Sequence, residues 1–185
     1  MYRKYIKRLL DIIFSIIFLI ILSPLIVITF LVTLIHLGRP VIDIRMKREG
    51  LHKKPFYMYK FRTRIYDTSS LWGRKTKLSK FIDDYKFNEL PQLFNILIGD
   101  MSFVGPRAFI VGETLPGYEI SEKRYLVKPG LTGLAQVSGG NFLSHKKKLE
   151  YDVIYYDNLS FLLDLKIILK TPFSILKKKN TLNNK

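Results

Sequence analysis

The chain has no cysteine, which excludes disulfides and cysteine-ligated metals and suits a reducing, cytoplasmic setting. Acidic residues are scarce: 15 Asp and Glu stand against 31 Lys and Arg, a net charge of +16. Such a balance implies an anionic partner, whether nucleic acid, anionic lipid or a phosphate-bearing substrate. Histidine is sparse, and His36, His52 and His145 lack the spacing of a metal site, so none is given a role. There is no internal repeat, and 185 residues suffice for one domain with a modest core.

Charge is missing altogether from residues 12–35, which are mostly Ile, Leu, Phe and Val. This run favours lipid and phosphate substrates over nucleic acid as the anionic partner. At about 1.5 Å per residue, a straight helix of that length would span a hydrocarbon core of about 30 Å. A cleaved signal peptide fits poorly, because the run is long and no small-x-small site follows it. Ser23-Pro24 sits at its middle, and proline removes a backbone donor and kinks a helix. Basic residues flank both ends: Arg3, Lys4, Lys7 and Arg8 before, Arg39, Arg45, Lys47 and Arg48 after. The positive-inside rule therefore finds little asymmetry to act on. Two readings stand. Either the helix enters one leaflet, bends and returns with both ends cytoplasmic, or it crosses as a kinked span, since such helices tolerate proline.

The rest reads as short elements. Residues 40–45 hold a strand-like cluster (Val41, Ile42, Ile44) leading into a basic turn, and 56–61 are a second, aromatic-rich strand candidate. Residues 67–76 are polar and read as a loop, and 78–85 as a short helix. Asn88 is predicted to cap the next helix, with Glu89 in its first turn and Pro91 early enough to be tolerated. Residues 134–137 read as a short apolar strand. Residues 146–157 read as a helix with Leu149, Val153 and Tyr156 on one face. Residues 160–179 mix apolar side chains with lysines, and Pro172 is expected to break them into two pieces. That segment either lies on a membrane surface or packs its apolar side on the core.

Four ordered stretches carry a resemblance. They are Tyr59-Lys60-Phe61-Arg62-Thr63, Glu89-Leu90-Pro91-Gln92-Leu93-Phe94-Asn95, Gly99-Asp100-Met101-Ser102-Phe103-Val104-Gly105-Pro106-Arg107 and Lys128-Pro129-Gly130-Leu131-Thr132-Gly133-Leu134-Ala135-Gln136-Val137. Together they resemble the bacterial sugar transferases, small monotopic phosphoglycosyl transferases that act on polyprenol phosphate. With the apolar run, the resemblance implies an α+β chain: a re-entrant membrane helix over 1–38, broken at Ser23-Pro24, then a small, mostly helical cytoplasmic domain over 39–179. Short strands, surface amphipathic helices and a disordered tail over 180–185 complete the expectation. The implied location is the bacterial inner membrane, with the domain on the cytoplasmic face and Lys7 and Arg8 at headgroup depth against anionic lipid phosphates.

The family's reaction moves a sugar phosphate from a nucleotide diphosphate sugar to polyprenol phosphate, through attack of a carboxylate on phosphorus. Glu89 matches the family's metal-binding glutamate, for Mg²⁺, and would equally serve as a first-turn acid on the helix dipole. Asp152 looks like a second acid of the site, its alternative being a solvated helix acid. Lys60, Arg62, Arg107 and Lys128 lie in matching motifs and are expected to contact substrate phosphates. Arg107 leads that set, because a guanidinium binds phosphate bidentately. Arg48 and Gly50 match a turn expected to be structural. Polyprenol phosphate, nucleotide diphosphate sugar and anionic lipid are the expected partners; nucleic acid is not. A homo-oligomer or a partner glycosyltransferase is left open.

The departures concentrate near the site. Asn88 stands where the family carries its nucleophilic Asp, and an amide oxygen is a poor nucleophile. Asp83 replaces a usual Arg, Arg64 a usual Met, and Ala108 the Pro after Gly-Pro-Arg. Several departures around one site read as natural divergence. The chain is therefore expected to be a sugar-phosphate transferase or a silent relative that binds substrate or pairs with an active one. A pure membrane scaffold would have no need of Glu89, Arg107 and the Lys60 motif.

Overall fold

The computed structural model describes residues 1–66, 73–113 and 115–183, with 177–183 as backbone only. It is mostly helical with a few short strands. The apolar run forms α1 (Lys7–Ile21) and α2 (Ser23–Leu37), preceded by a π-helical turn, Tyr2–Ile6. The two helices meet at Leu22 and are bent by 64°; among the described residues no single helix is long and apolar enough to cross a membrane, though this bent pair qualifies by length and composition. Pro24 falls in the first turn of α2, where a missing N–H removes no intrahelical bond. The Ser23 hydroxyl donates to the Ile20 carbonyl (2.8 Å), satisfying an acceptor at the end of α1.

Beyond the helix pair come β1 (Lys47–Glu49), β2 (Pro55–Tyr57), α3 (Lys77–Asp84), α4 (Gln92–Ile98), β3 (Ser102–Val104), β4 (Gly130–Thr132), α5 (Leu134–Val137), α6 (His145–Asp157) and α7 (Phe161–Asn183). β1 pairs antiparallel with β2, and β3 parallel with β4. Two apolar clusters hold these together. One joins Phe56, Leu93, Ile96, Met101 and Ala108, and Leu19 and Leu22 of the helix pair pack on it; the other joins Val104, Val127, Tyr155 and Ile167. Phe103 packs against both. Ile96 and Met101 are fully buried, so truncating either to Ala would cost about 2–5 kcal/mol.

The N-terminal helix docks through a polar stripe. Lys7, Asp11 and Ser15, one turn apart, are all buried. Lys7 Nζ lies 2.6 Å from Asp164 Oδ2, and Asp11 Oδ1 accepts from the Ser102 hydroxyl (3.0 Å) and the Phe103 N–H (3.1 Å). The opposite side of α1 and much of α2 expose apolar residues, among them Ile16, Ile20, Ile28 and Leu31.

Several expectations change. Residues 134–137 are the helix α5, and the strand precedes them as β4. In place of a strand over 40–45 there is a single antiparallel bridge, Ile42 to Phe61. α6 buries Leu149, Asp152 and Tyr155, so its inner face is rotated from the one expected. α7 (Phe161–Asn183) passes through Pro172 unbroken. Hydroxyls on either side of the proline, Thr171 to the Ile167 carbonyl (2.8 Å) and Ser174 to that of Lys170 (3.0 Å), bond carbonyls around the interruption. α7 buries Asp164 and Ile167 while exposing Leu162, Leu169 and Phe173. The expected loop over 67–76 lies outside the described residues up to 72; from there, Arg74 pairs with Ile65.

Candidate active site

Residues 60–62 run beside 41–43: the Asp43 N–H donates to the Lys60 carbonyl (2.7 Å) and the Arg62 N–H to that of Val41 (2.8 Å). Between them, the Phe61 N–H donates to the Asn88 carbonyl at 2.9 Å. This one bond fastens the Phe87–Glu89 turn to the Lys60 segment, and the side chains of Lys60 and Glu89 meet across it. Lys60 Nζ stands 3.3 Å from Glu89 Oε1, and Lys86 Nζ 3.6 Å from the same oxygen. Lys86 reaches it because its backbone is left-handed (φ 65°), which ends α3 and reverses the chain.

Arg107 joins from the far side of the sequence. Its loop is held against Lys128-Pro129-Gly130 by the Gly130 N–H to the Pro106 carbonyl (2.9 Å) and the Gly105 N–H to that of Thr132 (3.0 Å). The approach is so close that a Cβ on Gly105 would sit 2.2 Å from the Lys128 carbonyl, and one on Gly130 2.1 Å from the Gly105 nitrogen. Only glycine fits there, which is why the two motifs carry it. Arg107 is exposed, and its guanidinium has no hydrogen-bond partner among the described residues.

Burial alone would raise the Glu89 carboxyl, but Lys60, Lys86 and Arg107 outweigh it and hold the group below the usual carboxylate range. Arg48 also faces this cluster: burial and the neighbouring Arg107 lower its pKa, while Glu89 and two other acids oppose the shift. The sequence signal for Arg48 was its match to the family's Arg-x-Gly turn, read there as structural. Four cations thus surround one ionised carboxylate whose side chain is 23% exposed.

The remaining predicted residues are placed elsewhere. Asn88 is not a helix cap, since α4 starts after Pro91. Its side chain is buried and turned back on α3, where Nδ2 donates to Asp83 Oδ1 at 3.1 Å while its own Oδ1 has no partner. Asp83 is ion-paired with Lys75, and despite burial its carboxyl is held low by Lys75, Lys86 and Lys60. Arg62 donates to the Leu37 and Gly38 carbonyls, a cation capping the C-terminal end of α2. Arg8 does the same for α4 through the Ile96 (2.6 Å) and Leu97 (2.7 Å) carbonyls. Lys128 lies beside Arg8, near Asp11 and Asp100. Lys7 and Arg8 thus both bond to groups of the domain, Lys7 to Asp164 and Arg8 to the end of α4.

Asp152 Oδ2 accepts from Arg124 Nε at 3.1 Å, with the two side chains only 7% and 3% exposed. Burial pushes its carboxyl up to about 6, with Arg124 opposing. Arg124 in turn donates to the Arg107 carbonyl (2.7 Å) and lies 3.5 Å from the Phe109 ring centre. Asp152 therefore reaches the site through Arg124 and the loop that carries Arg107.

The family model described as bacterial sugar transferase matches residues 2–178. The chain belongs to the bacterial sugar transferase family. Among its relatives is a Bacillus subtilis (strain 168) protein named uncharacterized sugar transferase EpsL, 44% identical over 177 residues, covering 92% of this chain and 87% of that one. The UDP-glucose:undecaprenyl-phosphate glucose-1-phosphate transferase of Klebsiella pneumoniae is 37% identical over 186 residues, 90% of this chain and 39% of its own length. The undecaprenyl-phosphate galactose phosphotransferase of Salmonella typhimurium (strain LT2) is 36% identical over 200 residues, 95% and 41% respectively. This chain thus spans about two fifths of those two enzymes. In family terms, the structure brings the Lys60, Glu89 and Arg107 motifs to one place, with the Lys128 motif held against the Arg107 loop and Asp152 tied to that loop through Arg124.

Proposed function

We propose that this chain transfers a sugar phosphate from a nucleotide diphosphate sugar to polyprenol phosphate, releasing a nucleoside monophosphate, at the inner membrane of a bacterium. The observation that carries this reading is the convergence of Lys60, Lys86, Arg107 and Arg48 on Glu89. Two anionic substrates must be gathered and aligned, and a surplus of cations around one acid does that while stabilising charge on the transferring phosphoryl group. The named transferases among the relatives support the general reaction.

Glu89 would give Mg²⁺ its protein carboxylate. Among the described residues no group of three or more acids or histidines forms a metal cage. A site of one carboxylate completed by substrate phosphate oxygens matches what Mg²⁺ accepts. When bound, the ion would neutralise charge on those phosphates. Lys60 and Lys86 keep Glu89 ionised, and exposed Arg107 is free to clamp a phosphate bidentately. The bent α1–α2 pair is read as re-entrant, entering and leaving the cytoplasmic leaflet, with the exposed apolar residues of α7 lying along the surface.

A second reading, a silent relative that binds substrate without turnover, is favoured by one observation: the family's nucleophile position is the uncharged Asn88. Nucleotide-sugar binding and nucleoside monophosphate release by the purified chain in nanodiscs separate the two. Release lost in Glu89→Gln and Arg107→Ala supports transfer. Binding without release supports the silent relative, and absence of both removes either reading.

A further inference from the structure

A carboxylate does stand next to Asn88, on the preceding helix. Asp83 lies in the last turn of α3, and its Oδ1 accepts from the Asn88 amide at 3.1 Å. Lys60 and Lys86, which flank Glu89, also act on Asp83, so one pair of cations serves both acids. The Asp83 side chain is 28% exposed, open to a ligand, whereas Asn88 is 5% exposed. An acid at a helix C-terminus opposes the macrodipole, and it is lysines from outside α3, Lys75, Lys86 and Lys60, that keep it ionised there. A charge kept where the helix disfavours it, and faced by the lysines of the site, points to a use beyond stability.

Resting on the sugar-phosphate transfer reading, we propose that Asp83 supplies the carboxylate nucleophile, with the Asn88 amide positioning it. An Asp83 oxygen attacks the phosphorus that bears the sugar. The bond from that phosphorus to the nucleoside monophosphate breaks, and its electron pair leaves with the nucleotide. The product is an acyl phosphate joining Asp83 to the sugar phosphate. An oxygen of polyprenol phosphate then attacks the same phosphorus, the bond to Asp83 breaks, and the carboxylate returns unchanged as the polyprenol diphosphate sugar departs. Neither step requires a net proton. Lys75 and the Asn88 amide each hold one carboxylate oxygen by one lone pair and leave another available. Glu89, paired with Lys60 and Lys86, remains for phosphate-bound metal.

The test uses the full chain in nanodiscs with a panel of nucleotide sugars and hydroxylamine, without polyprenol phosphate. Hydroxylamine converts an acyl phosphate to a hydroxamate, which peptide mass spectrometry locates. The expected result is a hydroxamate at residue 83. In parallel, Asp83→Asn should lower nucleoside monophosphate release about a thousandfold or more, as loss of a nucleophile does elsewhere. The exchange variant Asp83→Asn/Asn88→Asp should recover part of it. Asn88→Asp alone should not raise turnover, because two carboxylates in contact share a proton. A hydroxamate at another residue, or turnover kept in Asp83→Asn, overturns this assignment and leaves the transferase reading standing. A silent native chain that Asn88→Asp activates overturns both.

Discussion

Replacing Asp152 with alanine strands the Arg124 guanidinium in the interior. The pair is 3.1 Å apart, with side chains 3% and 7% exposed, and Arg124 keeps only the Arg107 carbonyl at 2.7 Å and the Phe109 ring at 3.5 Å. Leaving one buried charge unpaired costs about 3–5 kcal/mol. For a chain of this size, each kcal/mol moves the melting temperature by about 2–4 °C, so Asp152→Ala should melt about 6–20 °C below the native chain. Asp152→Asn keeps an acceptor for Arg124 and should melt well above Asp152→Ala. The assay is far-UV circular dichroism melting of the three proteins in one detergent at neutral pH. Activity should fall in the same order, because Arg124 holds the loop that presents Arg107. If Asp152→Ala melts within about 2 °C of native while losing turnover, the structural role is refuted and Asp152 returns as an acid of the reaction.

Three further outcomes follow from the same geometry. Asp152 is raised from 3.8 to about 6 in the fold. The native state therefore holds its proton more tightly than the unfolded chain. That contribution is complete below the unfolded value and is lost as pH rises through the folded one, about 3 kcal/mol in all. Asp152→Asn should flatten the fall in melting temperature over that window, and an unchanged slope would contradict the assignment. Arg62→Met leaves the Leu37 and Gly38 carbonyls without their cation and should destabilise by about 1–3 kcal/mol. Unchanged melting with lost turnover would instead make Arg62 a substrate contact. Because the chain has no cysteine, single Lys4→Cys and Arg39→Cys variants can be labelled cleanly. Both should react from the same membrane face, and labelling from opposite faces excludes re-entry.

The sequence was most legible where function depends on linear motifs. Lys60, Glu89 and Arg107 were named before the fold, and the structure gathers them through a single backbone bond from Phe61 to Asn88 and a glycine contact between Gly105 and Gly130. It was least legible where a side chain's partner is distant. Nothing near Arg62 marks the end of α2 as its target, and nothing near Asp152 marks Arg124. The bonds of Lys7 and Arg8 were not legible either, because their partners, Asp164 and the end of α4, lie far along the chain. The four apolar residues of α5 are too few to distinguish a period of 3.6 from one of 2. Asn88 failed as a cap because the left-handed Lys86 folds it back onto Asp83, and Pro91 starts the helix later.

The most direct test of the central claim is nucleoside monophosphate release by the native chain in nanodiscs, measured across nucleotide sugars with and without undecaprenyl phosphate. Sustained release that requires the lipid phosphate and disappears in Glu89→Gln is the predicted result. A folded chain that binds a nucleotide sugar yet releases nothing under either condition would contradict it.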